Sequence, residues 1–75
     1  MSKATITKHI KTIGTTNVYS IQLNLVKWGH NPEKYDIRKW ISKEPLRGIC
    51  LDRDEATSLC YALCKELNLE VKQHG

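Results

Sequence analysis

In the stretch from Tyr19 to Trp28 apolar and polar residues alternate as far as Leu25, and this pattern constrains the chain more than any other. Tyr19, Ile21, Leu23 and Leu25 fall on one side of an extended strand, Ser20, Gln22 and Asn24 on the other. That is the period-two signature of a half-buried antiparallel strand. A chain containing such a strand has to build a sheet and cover one face of it. Ala4 to Ile13 is rich in Thr and Ile with rough alternation, and Gly14-Thr15-Thr16-Asn17 supplies turn chemistry. Gly29-His30-Asn31-Pro32 reads as a second turn, because Pro32 cannot join a central ladder. Tyr35 to Ile41 alternates again, with Tyr35, Ile37 and Ile41 inward and Asp36 and Arg38 outward. Ser42 to Leu46, containing Pro45, is expected to be a connecting loop. Gly48 to Leu51 is expected to be a short last strand with Ile49 and Leu51 inward.

The covering element follows directly. Asp52 is a good N-cap, Glu55 completes a capping box, and Asp54 puts negative charge where the helix dipole favours it. Ala56, Leu59, Cys60, Leu63, Cys64 and Leu67 form one apolar stripe at helical spacing, with the helix expected to fray after Asn68. The expected fold class is α+β: a four-stranded antiparallel sheet followed by one C-terminal helix, in a single domain over residues 1–75.

A chain of 75 residues with no Phe has a thin core of its own, and chains this short rely on disulfides, a metal or a partner subunit. Three cysteines are an odd number, and no apolar run resembles an export signal or the roughly 20 residues of a membrane span. A reducing cytoplasm with free thiols is therefore the expected setting. A lone Cys60-x-x-x-Cys64 lacks the second ligand pair of a tetrahedral zinc site, and His9, His30 and His74 fall in a strand, a turn and a tail. Neither metal nor cofactor is expected. What remains is a homodimer, the helix stripe serving as its self-complementary surface.

The net charge of +4 is unevenly spread, with +6 in residues 1–51 and −2 in the remainder. Such asymmetry points to a face that binds a polyanion. One helix covers one face of a sheet, so the other face is free for a ligand. Extending the polar register of the second strand brings Val26 and Trp28 onto that face, and extending that of the third brings Trp40 there. Two indoles in a solvent register, near Lys27, Lys34, Arg38, Lys39, Lys43 and Arg47, read as stacking platforms for unpaired bases with cations tracking the phosphates. The alternative is that they pack at the sheet edge or in the dimer, or act as hot spots for another polypeptide. An enzyme is not expected. The sequence has no nucleophile with a base and acid at motif spacing, no glycine-rich phosphate loop and no paired carboxylates. Cys60 and Cys64 belong to the stripe expected to be buried.

Tyr35-Asp36-Ile37-Arg38-Lys39-Trp40, a polar loop, and then Arg47-Gly48-Ile49-Cys50-Leu51 running into Asp52-Arg53-Asp54-Glu55 resemble the positive-cofactor-four family. These are single-stranded-DNA-binding transcriptional coactivators and their bacterial relatives. The resemblance covers about Tyr19 to Leu67. It implies a dimer whose paired sheets form a basic channel for unpaired strands, with Trp28, Arg38, Trp40 and Arg47 at the contact positions. Lys11, Lys27, Lys34 and Lys43 complete the expected nucleic-acid-binding set. The chain departs from the family in having Ala56 where an aromatic is usual, and a shorter stretch before the last strand. Single-stranded DNA is the expected partner. RNA is equally admitted, since no residue recognisably reads a 2′-hydroxyl. Transcription or replication proteins are further partners, in the cytoplasm or, in a bacterium, at the nucleoid.

Overall fold

The computed structural model describes residues 4–70; His74 lies outside them. Four strands, β1 (Ala4–Thr15), β2 (Ser20–Trp28), β3 (Lys34–Ile41) and β4 (Glu44–Leu51), precede one helix, α1 (Arg53–Glu66). The strands form one antiparallel sheet in the order β1-β2-β3-β4. The expected class of fold is therefore present. No helix among the described residues is long and apolar enough to cross a membrane.

The pleat sorts side chains onto two faces. Leu23 pairs with Ile37, Ile37 with Ile49 and Tyr35 with Leu51, which sets the face turned toward α1. Asn24 pairs with Asp36, Ser20 with Trp40, and Asp36 with Cys50 on the open face. β1 departs from simple alternation. Its register slips after Ile6, after His9 and after Thr12, so Thr7, Ile10 and Ile13 are each an extra residue. A bulge places two residues against one partner and bends the strand. Recurring every third residue, the bulges keep Ile6, His9, Thr12 and Thr15 opposite the open-face residues of β2. They also send Ile10 and Ile13 to the helix face. Bulges of this kind make an edge a poor template for pairing with another strand.

The open face, expected to be solvated or to bind a ligand, holds the most deeply buried of the described residues: Asn24 at 0%, Asp36 at 1% and Val26 at 2% exposure. The helix face is the loose one. No residue of α1 is buried, and an apolar gap of about 410 Å³ separates the helix from Ile10, Leu23, Ile37 and Leu51. Leu63 and Leu67 stay exposed, and so does Cys60, so the helix stripe is not buried within one subunit as expected.

The expected loop from Ser42 to Leu46 is also corrected. Only Ser42 and Lys43 turn the chain, and β4 begins at Glu44. Ser42 takes a φ of 56°, a conformation that glycine usually supplies in two-residue hairpins, and its absence hid the turn. Pro45 lies within β4, where an edge strand tolerates a missing donor. At the other end the capping box forms as expected: the Glu55 amide donates to Asp52 Oδ1 at 2.8 Å and the Asp52 amide to Glu55 Oε1 at 2.9 Å. The helix does not fray. Asn68 adopts φ 58°, the Leu69 amide donates to the Cys64 carbonyl at 2.7 Å, and the Asn68 amide to that of Lys65 at 3.3 Å. This is a Schellman cap.

β3 and β4 approach closely where Gly48 faces Arg38. A Cβ on Gly48 would overlap the Arg38 Cβ and the Ile37 carbonyl, whereas one on Gly14 would meet nothing within 4 Å. Gly48→Ala is expected to cost about 1–3 kcal/mol, and Gly14→Ala to stay within about 0.5 kcal/mol of the parent. Urea unfolding midpoints of the two variants check the pair.

Candidate nucleic-acid interface

In a strand, residues two apart share a face, so Asp36 and Arg38 lie side by side on the open face. They form a bidentate pair, Arg38 Nε donating to Asp36 Oδ2 at 2.7 Å and Nη2 to Oδ1 at 2.5 Å. The carboxylate is buried and the guanidinium side chain is 15% exposed. These hydrogen bonds push the Arg38 pKa above its ordinary value, against the opposing effect of burial. The remaining reach of the guanidinium organises its surroundings. Nη1 donates to the Leu46 carbonyl at 3.2 Å, tying β3 to the start of β4. Cζ stands 5.6 Å from the centroid of the Trp28 ring, within cation–π range. Cys50 closes the network, its thiol donating to Asp36 Oδ1 at 3.1 Å and accepting from Trp28 Nε1 at 3.3 Å. Burial, and then the bond to Asp36, push the Cys50 thiol pKa up, so the thiol stays protonated and able to donate. Trp28 is thus fixed at its edge by sulfur and over its ring by a cation.

Trp28, Arg38, Trp40 and Lys43 line one cavity of about 450 Å³, floored by Val26 and Asp36. The Trp40 Nε1 is buried with no hydrogen-bond partner among the described residues. Beside the cavity runs a polar ladder. His9 Nδ1 lies 2.6 Å from Asn24 Oδ1, an acceptor, which assigns the proton to Nδ1. Asn24 Nδ2 donates to Gln22 Oε1 at 3.2 Å, and Gln22 Nε2 to Ser20 Oγ at 3.1 Å. A second cavity of about 340 Å³ is lined by Trp28, Asn31, Pro32, Lys34 and Cys50.

The structure therefore gathers five of the eight residues expected at the site: Trp28, Arg38, Trp40 and Lys43 in the first cavity, Lys34 in the second. The other three stand elsewhere. Lys11 pairs in register with Leu23 on the helix face, and Lys27 follows Leu25 on the same side of β2. Arg47 shares a bulge with Leu46 opposite Lys39, between the Arg38–Gly48 and Trp40–Pro45 pairs; being adjacent to Gly48, it turns away from the open face. Lys39 itself sits 4.4 Å over the Tyr19 ring. Sequence reasoning missed Asp36 and Cys50 as members of the site. The Asp-x-Arg spacing within a strand was the available signal for the first. The second required knowing that Cys50 pairs with Asp36.

No protein-family model matches the chain. Over 57 residues it is 35% identical to an uncharacterized protein of Treponema pallidum (strain Nichols), an alignment covering 72% of this chain and 67% of that protein. The chain belongs to the family of that protein.

Among the described residues Asp36–Arg38 is the one ion pair, and the pair is nearly dry. Removing one partner strands the other. Asp36→Ala is expected to destabilise the fold by about 3–5 kcal/mol, and adding Arg38→Ala to recover part of that loss. A double-mutant cycle by urea unfolding reads both.

Proposed function

We propose that the protein binds single-stranded DNA without sequence choice, as a homodimer, and that it is a binding module rather than an enzyme. The observation carrying this reading is the open-face cavity, where two indoles and an organised guanidinium meet beside Lys43, a cation with no ion-pair partner among the described residues. Stacking accepts any base because every base has a π-face, and cations nearby follow the backbone. Arg38 is already neutralised by Asp36, so net attraction for phosphates comes from lysines such as Lys34 and Lys43. The residues resembling the positive-cofactor-four family include Arg38 and Trp40, and roles in transcription, replication or repair follow from that resemblance. RNA single strands present the same bases and phosphates and fit the same description.

The dimer rests on a different observation. Val26 is the only fully buried apolar side chain among the described residues, which is too little core for a stable isolated subunit. Leu63 at 49% and Ile13 at 56% exposure border the gap beneath α1, and Ile49, which pairs with Ile37 on the same face, is 55% exposed. A second copy presenting the same apolar surface would bury both, as a two-fold interface requires.

Single-stranded oligonucleotides should bind more tightly than duplex of equal length, with log affinity falling against log salt at about −0.7 per phosphate neutralised. Lys34→Ala and Lys43→Ala should each flatten that slope by about one phosphate. Equal or tighter binding to duplex contradicts the reading. Sedimentation equilibrium should show a dimer at micromolar concentration; a stable folded monomer there contradicts the dimer.

A further inference from the structure

The two tryptophans reach the site from opposite ends of the sheet. Trp40 pairs across the ladder with Ser20, the first residue of β2, whereas Trp28 is the last. Eight residues at about 3.3 Å each separate those positions, about 26 Å along the strand. Both rings border the first cavity, but Arg38 lies between them, two residues from Trp40 and over the Trp28 ring. A single base cannot be sandwiched by both indoles with a guanidinium interposed. Of the two indoles bordering the first cavity, Trp40 has no cation over its ring among the described residues.

Trp28 also borders the second cavity, and Arg38 does not. That cavity has a rigid rim. The Asn31 amide donates to the Trp28 carbonyl at 2.9 Å, closing a turn that Gly29 enters with φ 55°. Pro32 adds a stiff apolar wall, the Asn31 side chain offers an amide edge, and Lys34 brings a cation with no ion-pair partner among the described residues. An apolar wall, an amide and a cation around one indole match the three parts of a nucleotide: base face, base edge and phosphate.

We propose that each subunit holds two nucleotides of a single strand in separate subsites, one base on Trp40 in the first cavity and another on Trp28 in the second, with Lys34 taking a phosphate of the latter. This rests on the single-strand reading above and adds to it a second nucleotide subsite behind Trp28. Each indole then contributes its own stack, so the energetic contributions are independent.

The test is a double-mutant cycle on Trp28→Ala and Trp40→Ala, measured with an oligothymidylate longer than about 16 nucleotides. Each replacement should weaken binding about fivefold to a hundredfold, and the double variant should lose the product of the two within about twofold. Lys34→Gln should weaken binding in the Trp40→Ala background as much as in the parent. In the parent protein, saturating oligothymidylate should slow alkylation of Cys50 by iodoacetamide, followed by site-resolved mass spectrometry, because Cys50 lines the second cavity and not the first. Two results overturn the proposal while leaving single-strand binding intact. In one, Trp28→Ala costs nothing once Trp40 is gone. In the other, the Cys50 alkylation rate is unchanged at saturation, a readout that stands even where Trp28→Ala fails to fold. Absence of oligothymidylate binding by the parent protein removes the underlying reading instead.

Discussion

On the open face of β3, one carboxylate and one guanidinium two residues apart are held together almost out of water, and most of the site is arranged around them. Asp36 is buried at 1% exposure, so its charge has to be met, and Arg38 meets it through two parallel hydrogen bonds. Such a pair gives geometry more reliably than net stability, because desolvation offsets much of the attraction. Its effects reach outward through the donors that remain. Arg38 reaches the Leu46 carbonyl and the Trp28 ring, while Cys50 links Asp36 to the Trp28 edge. Gly48 exists opposite Arg38 because no side chain fits there. A tryptophan at the end of a strand, next to a turn, would otherwise be free to rotate; here a thiol and a guanidinium hold its ring, which under the proposed function would lower the entropic cost of stacking a base.

The two faces of the sheet are built to different degrees of completion. The open face is finished within one chain, dry at its floor and polar along the His9–Asn24–Gln22–Ser20 ladder. The helix face is unfinished, with a well-capped helix standing off the strands and leucines and isoleucines exposed around the gap. Local signals make the helix and long-range ones fail to seat it. In the proposed dimer such an element would supply one half of a shared core, and folding and assembly would be coupled.

The order and type of elements were legible because their signals are local: alternation in β2 and β3, a capping box at Asp52, a helical stripe after it. The parities of those strands also located Trp28, Arg38 and Trp40 on one face. What escaped the sequence depended on register. β1 carries a triplet pattern, Thr7-Lys8-His9, Ile10-Lys11-Thr12, Ile13-Gly14-Thr15, which is the trace of three bulges but looks like poor alternation. The Ser42–Lys43 turn lacked its glycine. Arg47 shares the parity of Ile49 and Leu51, so counting alone puts it on the helix face; its place in the expected set comes from the family resemblance. The burial of Asn24 and Asp36 on the open face is announced by no residue type.

The central claim is that Trp28 and Trp40 together form a preorganised surface for an unpaired strand. Their indole N–H groups give two resonances in a ¹H–¹⁵N correlation spectrum, one from a donor bonded to Cys50 and one from a donor without a partner among the described residues. Titration with oligothymidylate is the direct measurement. The account predicts that both indole signals shift together to saturation with the single strand, and much less with a duplex of the same length. Indole signals that stay in place while resonances of the helix face move, or that respond equally to duplex, would contradict it.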